Sequence, residues 1–239
     1  MGLVGISAMR RFFSAVVGAV GESIQLDEEA SHHLLRVSGI RPGETVGLFD
    51  GQGSACSAKL VQVDDGCAVL EIIDAVAGAD GKKTSQTWLL QAILKQGTFD
   101  RVVRMATELG IHHLVPVLAD RSVPRGDRSE RWNRIAKAAV GQCGRSQFPV
   151  IHPVLSLEAA LARVPMEVER RVLVPGAPRL GSTGGPVALL VGPEGGWSVA
   201  EIQVAVSNRC VVAGLGGLTL RADTAAAVAL GSIRAPEMG

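Results

Sequence analysis

Two segments of this chain have a composition suited to holding a small ligand. The first is Gly192-Pro193-Glu194-Gly195-Gly196-Trp197 and the second is Gly214-Leu215-Gly216-Gly217-Leu218-Thr219-Leu220-Arg221. Glycine has no Cβ, so its backbone can approach another group closely or take a positive φ. A phosphate cradle fits poorly: the first segment lacks the Lys-Ser/Thr of a P-loop, and neither completes G-x-G-x-x-G. Neutral glycine loops with apolar neighbours suit an adenine ring and a thioether or sulfonium better than a triphosphate. Charged groups are few. Arg221 offers a permanent, planar cation for a phosphate or a developing anion, and Glu194 and Asp223 offer carboxylates that accept a proton or orient a neighbour. The bland alternative is a pair of ordinary tight turns.

Each loop runs from a predicted strand into a predicted helix. Val187–Val191 is wholly apolar, as a strand buried on both faces must be, and Ser198 with Glu201 forms the S-x-x-E pattern of a capping box. Val211–Ala213 reads as a strand and Asp223–Ile233 as an alanine-rich helix. Strands predicted at Trp88–Leu94, Ile111–Leu118 and Arg171–Pro175 alternate with helices at Phe99–Leu109, Ser129–Cys143 and Ser156–Val164. That alternation predicts an α/β domain with a mainly parallel sheet covered on both faces. Both loops then lie beyond strand carboxyl ends, where open α/β sheets bind ligands.

The first part of the chain has a different period. Thr45–Phe49, Ser57–Val63 and Ala68–Ile73 are short β-rich runs, punctuated by Asp50-Gly51 and Asp64-Asp65-Gly66. They predict a small antiparallel β-domain, and Gly78–Lys83 is the natural linker. The expected division is residues 1–80 and 84–239. Charge divides with it: residues 1–80 carry 5 basic and 11 acidic side chains, whereas residues 81–239 carry 19 and 12. The second module is the better suited to face a polyanion.

Other classes are disfavoured. The four cysteines (Cys56, Cys67, Cys143, Cys210) form no CxxC pair, which argues against a zinc site or a disulfide framework and for a reducing, cytoplasmic setting. His32-His33 lacks a third ligand at sensible spacing, so no metal is expected. Arg10-Arg11-Phe12-Phe13 before Ala15–Val20 has the look of an export signal, but about six apolar residues fall short of the roughly 7–15 such a core uses. Nothing approaches the ~18 apolar residues of a membrane span.

The chain also resembles a known family. Val191-Gly192-Pro193-Glu194-Gly195-Gly196 with Glu201, then Leu215-Gly216 and Leu220-Arg221-x-Asp223-Thr224-Ala225, are similar to the paired cofactor loops of the RsmE family. Met9–Phe13, His32-His33-Leu34 with Arg36, Pro42-Gly43, Lys95-x-Gly97, Thr107–Gly110, Arg121-Ser122-Val123 and Gln142–Arg145 follow in family order. Residues 1–8 precede the family's usual start. Gly39, Met105, Gly141 and Leu218 stand where the family has Arg, Lys, Glu and Arg, and Asp223 shortens a Glu.

The resemblance implies a SPOUT-type α/β domain with a trefoil knot behind a PUA-like β-barrel, acting as a homodimer. It implies transfer of methyl from S-adenosylmethionine to N3 of a uracil in 16S ribosomal RNA, within an assembled or assembling small subunit. Cofactor contacts are expected from Leu173, Val174, Pro175, Val191, Gly192, Pro193, Glu194, Gly195, Gly196, Leu215, Gly216, Leu218, Leu220 and Thr224. Catalytic roles are expected among Arg221, Glu194 and Asp223, and RNA contacts from Arg10, Arg11, Arg36, Lys95, Arg121 and Arg145. The same cofactor loops are compatible with methylation of a ribose 2′-hydroxyl or another base, or with an RNA-binding assembly factor that has lost turnover.

Overall fold

The computed structural model of the chain describes residues 9–76, 86–95, 97–122, 128–181 and 183–234. The expected linker at 78–83, residues 1–8 and Val123 of the Arg121-Ser122-Val123 motif lie outside the described residues. The chain divides into two compact units, Met1–Lys83 with Ala138–Phe148, and Thr84–Lys137 with Pro149–Gly239.

The first unit is built on a five-stranded sheet of order β1-β3-β4-β5-β2. Its meander of β3 (Thr45–Phe49), β4 (Ala55–Asp64) and β5 (Cys67–Val76) follows the three β-rich runs, the first with the same bounds and the other two extended by a few residues. Asp65 (φ 46°) and Gly66 (φ 82°) close the β4–β5 hairpin; positive φ at both central residues matches the right-handed twist of the strands. Two short edge strands complete the sheet: β1 (Arg11–Phe13), parallel to β3, and β2 (Ser23–Gln25), antiparallel to β5. The antiparallel expectation therefore fails at β1. Asp27 caps α1 (Glu28–His32), which runs into a π-helical turn, His33–Val37, and Leu34 on that turn enters a core with Phe12, Leu48, Leu60 and Leu70. Phe49 and Ala55 pack with Val140, flanked by Phe13 and Phe148, so Ala138–Phe148 belongs to this unit although it follows the linker in sequence.

The second unit is a six-stranded, wholly parallel sheet of order β11-β9-β10-β6-β7-β8. Its strands are β6 (Thr87–Ala92), β7 (His113–Val117), β8 (Val150–Ile151), β9 (Glu169–Leu173), β10 (Val187–Val191) and β11 (Val211–Ala213). The helices are α2 (Thr98–Glu108), α3 (Ser129–Cys143), α4 (Leu157–Arg163), α5 (Val199–Ser207) and α6 (Ala222–Arg234). Alternate residues of one strand face opposite layers. Leu89, Leu114, Leu189 and Val191 meet α2, the start of α3 and α6, whereas Trp88, Leu90, Val115 and Leu190 meet α4 and α5. From β6 the chain builds outward through β7 and β8, then returns to lay β9, β10 and β11 on the other side. That reversal is the topological switch point, and it opens a crevice at the strand carboxyl ends.

At the opposite strand ends, Trp88 stacks on His113 with ring centroids 3.7 Å apart, and His113 Nδ1 lies 3.2 Å from His152 Nε2. Burial, and secondarily His152, pushes the His113 imidazole from 6.5 down to about 4. His152 is lowered as well, by burial first and then by Arg163. Between these values the unfolded chain binds more protons than the folded one, so stability is full above pH 6.5 and is lost as pH falls. The urea midpoint is expected to drop between pH 7 and pH 5, and His113→Phe, which keeps a ring against Trp88, should flatten that dependence. An unchanged slope in the variant would place its source elsewhere.

Candidate active site

A cavity of about 720 Å³ opens where β9, β10 and β11 end, within the roughly 300–1,000 Å³ usual for small-molecule sites. Leu173, Val174 and Pro175 wall it from the end of β9. Val191, Gly192, Pro193, Glu194, Gly195, Gly196 and Trp197 wall it from β10, and Gly214, Leu215, Gly216, Leu218, Leu220, Arg221 and Asp223 from β11 and the start of α6. The expected cofactor residues thus converge, with one exception. Thr224 does not line the cavity; it sits exposed in the first turn of α6, its amide donating to Asp223 Oδ1 at 3.1 Å. Leu218 lines the cavity while 81% exposed, so it stands on the open side.

The first loop is strapped into place. Ser198 Oγ accepts from Glu201 N at 3.2 Å and Glu201 Oε2 accepts from Ser198 N at 2.7 Å, the expected capping box. The other carboxylate oxygen of Glu201 accepts from Asp120 N at 2.9 Å, and Ser198 Oγ donates to Asp120 Oδ2 at 2.6 Å. Arg121 Nη1 donates to the Gly195 carbonyl at 2.6 Å, and a Cβ on Gly195 would press on the Arg121 stem at 3.2–3.3 Å. Gly195 therefore makes room for Arg121. Gly196, at φ 71°, makes the turn.

The second loop is held at its ends and open between them. Gly214 N donates to the Pro178 carbonyl and Leu180 N to the Gly214 carbonyl, both at 2.7 Å. At the far end Ala225 N donates to the Arg221 carbonyl at 2.7 Å. Among the described residues, no amide from Leu215 to Leu220 donates to a protein group. Backbone donors and acceptors require partners, so this stretch presents a row of them to water or to a ligand in the cavity.

Charge at the mouth is sorted by one ion pair. Arg101 donates from Nε and Nη2 to Asp223 Oδ2 at 3.2 and 2.9 Å. Burial acts to raise the Asp223 carboxyl, but the hydrogen bond and charge of Arg101 and the Thr224 amide prevail and hold it below its ordinary value. The Arg221 side chain, exposed and on the same cavity wall, makes no hydrogen bond or ion pair with a described residue. Glu194 Oε1 accepts from Lys95 N at 3.2 Å, and its second oxygen has no protein partner among the described residues.

A profile of the RNA methyltransferase domain matches residues 81–234, and one of the RNA methyltransferase PUA domain matches residues 26–73. The chain belongs to the RNA methyltransferase domain family. Among its relatives, the ribosomal RNA small subunit methyltransferase E of Synechocystis sp. is 29% identical, over 89% of this chain and 73% of that protein. The protein of the same name from Bacillus subtilis is 26% identical, over 86% and 87%. The crystal structure of a ribosomal RNA small subunit methyltransferase E from Neisseria gonorrhoeae, bound to S-adenosyl methionine, superposes with a TM-score of 0.87. It is 29% identical and covers 95% of this chain and 98% of that one.

The basic residues of this methyltransferase are spread over both units. Arg36 is exposed on the π-helical turn, and Arg10, also exposed, donates to the Ser38 carbonyl. Arg11 departs from expectation. Its guanidinium donates to the Arg145 carbonyl at 2.9 Å and to Ser146 Oγ at 2.7 Å, and lies over the Phe49 ring. It is a structural tie of the first unit. Arg145 is half-buried beside it, while Lys95 and Arg121 lie by the first loop of the second unit. Arg101 and Thr98 on α2 also line the cavity, and sequence reading missed both. No motif marks them, and the partner of Arg101 lies 122 positions away.

A Cβ on Gly214 would sit 2.4 Å from the Ala177 carbonyl oxygen, whereas Gly217 has open space. Gly214→Ala should therefore cost about 1–3 kcal/mol, as overpacking against fixed neighbours does, and Gly217→Ala should cost little. Thermal unfolding of both variants tests this; a Gly214→Ala protein as stable as wild type would contradict the packing.

Proposed function

We propose that this methyltransferase methylates N3 of a uracil in 16S ribosomal RNA, with S-adenosylmethionine held in the cavity at the ends of β9, β10 and β11. The observation that carries this reading is the open second loop: unpartnered amides and an unpaired Arg221 share one apolar-walled cavity. Bound S-adenosylmethionine supplies an electrophilic methyl on a sulfonium. Leu173, Val191, Leu215 and Leu220 offer apolar contact to an adenine ring, and the backbone from Leu215 to Leu220 offers donors and acceptors to its edge.

Uracil N3 carries a proton and lies on the pairing edge, so the base must be unpaired or swung out to react. As that proton leaves, negative charge grows on the base, and Arg221 is the cation free to stabilise it. Both Asp223 oxygens are engaged, which leaves the second oxygen of Glu194 as the better proton acceptor; Asp223 then serves to position. Arg10, Arg36, Lys95, Arg121 and Arg145 are the groups proposed to hold phosphates, which orient RNA without reading sequence. The substrate is 16S RNA within an assembled or assembling small subunit.

The finer architecture is part of the same reading. The segment after β11 runs past the Ala177–Leu180 turn, and α6 packs on α2 and β10. That path favours a trefoil knot around the cofactor. Exposed Leu218 at the cavity and Val228 on α6 favour a homodimer. Four free cysteines suit the cytoplasm, and no helix among the described residues is long and apolar enough to cross a membrane.

Small subunits from cells lacking the gene should take up one methyl from S-adenosylmethionine, and mass spectrometry should map it to uracil N3. Arg221→Ala should slow single-turnover methylation about 100-fold or more, the effect of losing one stabilising donor, while cofactor affinity stays within a few-fold. A methyl on a ribose 2′-oxygen, no uptake at all, or cofactor affinity collapsing in step with rate would each refute the reading.

A further inference from the structure

Asp223 is paired with Arg101, while Arg221 lines the same cavity and makes no ion pair with a described residue. Arg101 comes from the first turn of α2 and spends both Nε and Nη2 on a single carboxylate oxygen, with Nη2 also 3.3 Å from Thr98 Oγ1. Arg221 precedes Asp223 by two residues at the start of α6 and lines the same cavity. The Asp223 side chain is 13% exposed, so leaving it without a partner is costly. If Arg101 were absent, Arg221 would be the remaining cation among the residues that line the cavity with that shielded carboxylate. A guanidinium committed to an aspartate has its field largely cancelled and its donors occupied, and it does little for an anion developing on a substrate.

We infer that Arg101 is a positioning residue: by occupying Asp223 it keeps Arg221 unpaired and available to the substrate. This rests on the reading of Arg221 as the substrate-side cation. Asp223 in turn is what fixes Arg101 at the wall, and through its Oδ1 bond to the Thr224 amide it also steadies the first turn of α6. One carboxylate thus sorts two cations, holding one and sparing the other. The pairing explains why a second arginine stands at the mouth of a site whose chemistry needs one.

A double substitution separates this role from that of a brace or an RNA grip. Arg101→Ala should slow single-turnover methylation at least tenfold with S-adenosylmethionine affinity within a few-fold, because Arg221 falls onto Asp223. Adding Asp223→Asn removes the competing charge, so the Arg101→Ala/Asp223→Asn protein should recover most of that loss. Arg101→Lys, which keeps a cation on Asp223, should lie close to wild type and controls for folding, as does circular dichroism of every variant. A strut whose only task is to brace α6 predicts a double variant no faster than Arg101→Ala, and an Arg101 that itself grips RNA predicts equal losses in both with a raised KM; either result overturns the inference. Arg221→Ala, measured alongside, separates the two levels. If it is unimpaired, the reading of Arg221 fails; if it is impaired while Arg101→Ala is not, only the present inference fails.

Discussion

The stretch from Gly214 to Arg221 is fixed at both ends and unbonded in the middle, and the site at the strand ends depends on this, because that stretch forms one wall of the cavity. One end is locked because Gly214 exchanges hydrogen bonds with Pro178 and Leu180 and packs its Cα where a Cβ would meet Ala177 backbone. The other end is locked by the first turn of α6 and by the Arg101–Asp223 pair. Six consecutive amides between those anchors have no acceptor among the described residues. Gly216 to Thr219 are exposed, so water can serve these groups when the cavity is empty. A ligand with a polar edge can replace that water along the whole stretch.

The parallel sheet explains why the chemistry sits in the loops. Every residue of β10 is buried, so no strand side chain there can carry charge without a large desolvation cost. Polar function is displaced to the carboxyl ends, where β9, β10 and β11 finish side by side. There the first loop is rigid, held through Glu201, Asp120 and Arg121, and the second is open. A stiff wall opposite an unsatisfied one is a reasonable way to enclose a ligand with an apolar body and a polar edge. The charged groups at the mouth then need ordering, and the competition for Asp223 supplies it.

Much of this was legible in the sequence because it is local. The apolar run Val187–Val191, the Ser198/Glu201 capping box and the helix Ser129–Cys143 were expected where they occur, since each rests on contacts within a few residues. The glycine loops were legible as loops, yet Gly195 serves Arg121, 74 positions away, which no local pattern could show. Arg101 and Asp223 are invisible as a pair for the same reason. The family resemblance implied an RNA contact for Arg11, but its guanidinium is engaged by the Arg145 carbonyl and Ser146. The edge strands Arg11–Phe13 and Val150–Ile151 are too short to show a period. Amphipathic spacing told that α3 has a buried side but not that Val140 near its end packs with Phe49.

The open loop yields directly to hydrogen exchange. With the protein alone, the amides of Leu215, Gly216, Gly217, Leu218, Thr219 and Leu220 should exchange rapidly, having no acceptor among the described residues, while those of the capped helix α5 are protected. Saturating S-adenosylmethionine should slow exchange within Leu215–Leu220 at least tenfold and leave the β-meander of the first unit unchanged. Exchange in that stretch that is already slow without cofactor, or unaltered by it, would contradict the account.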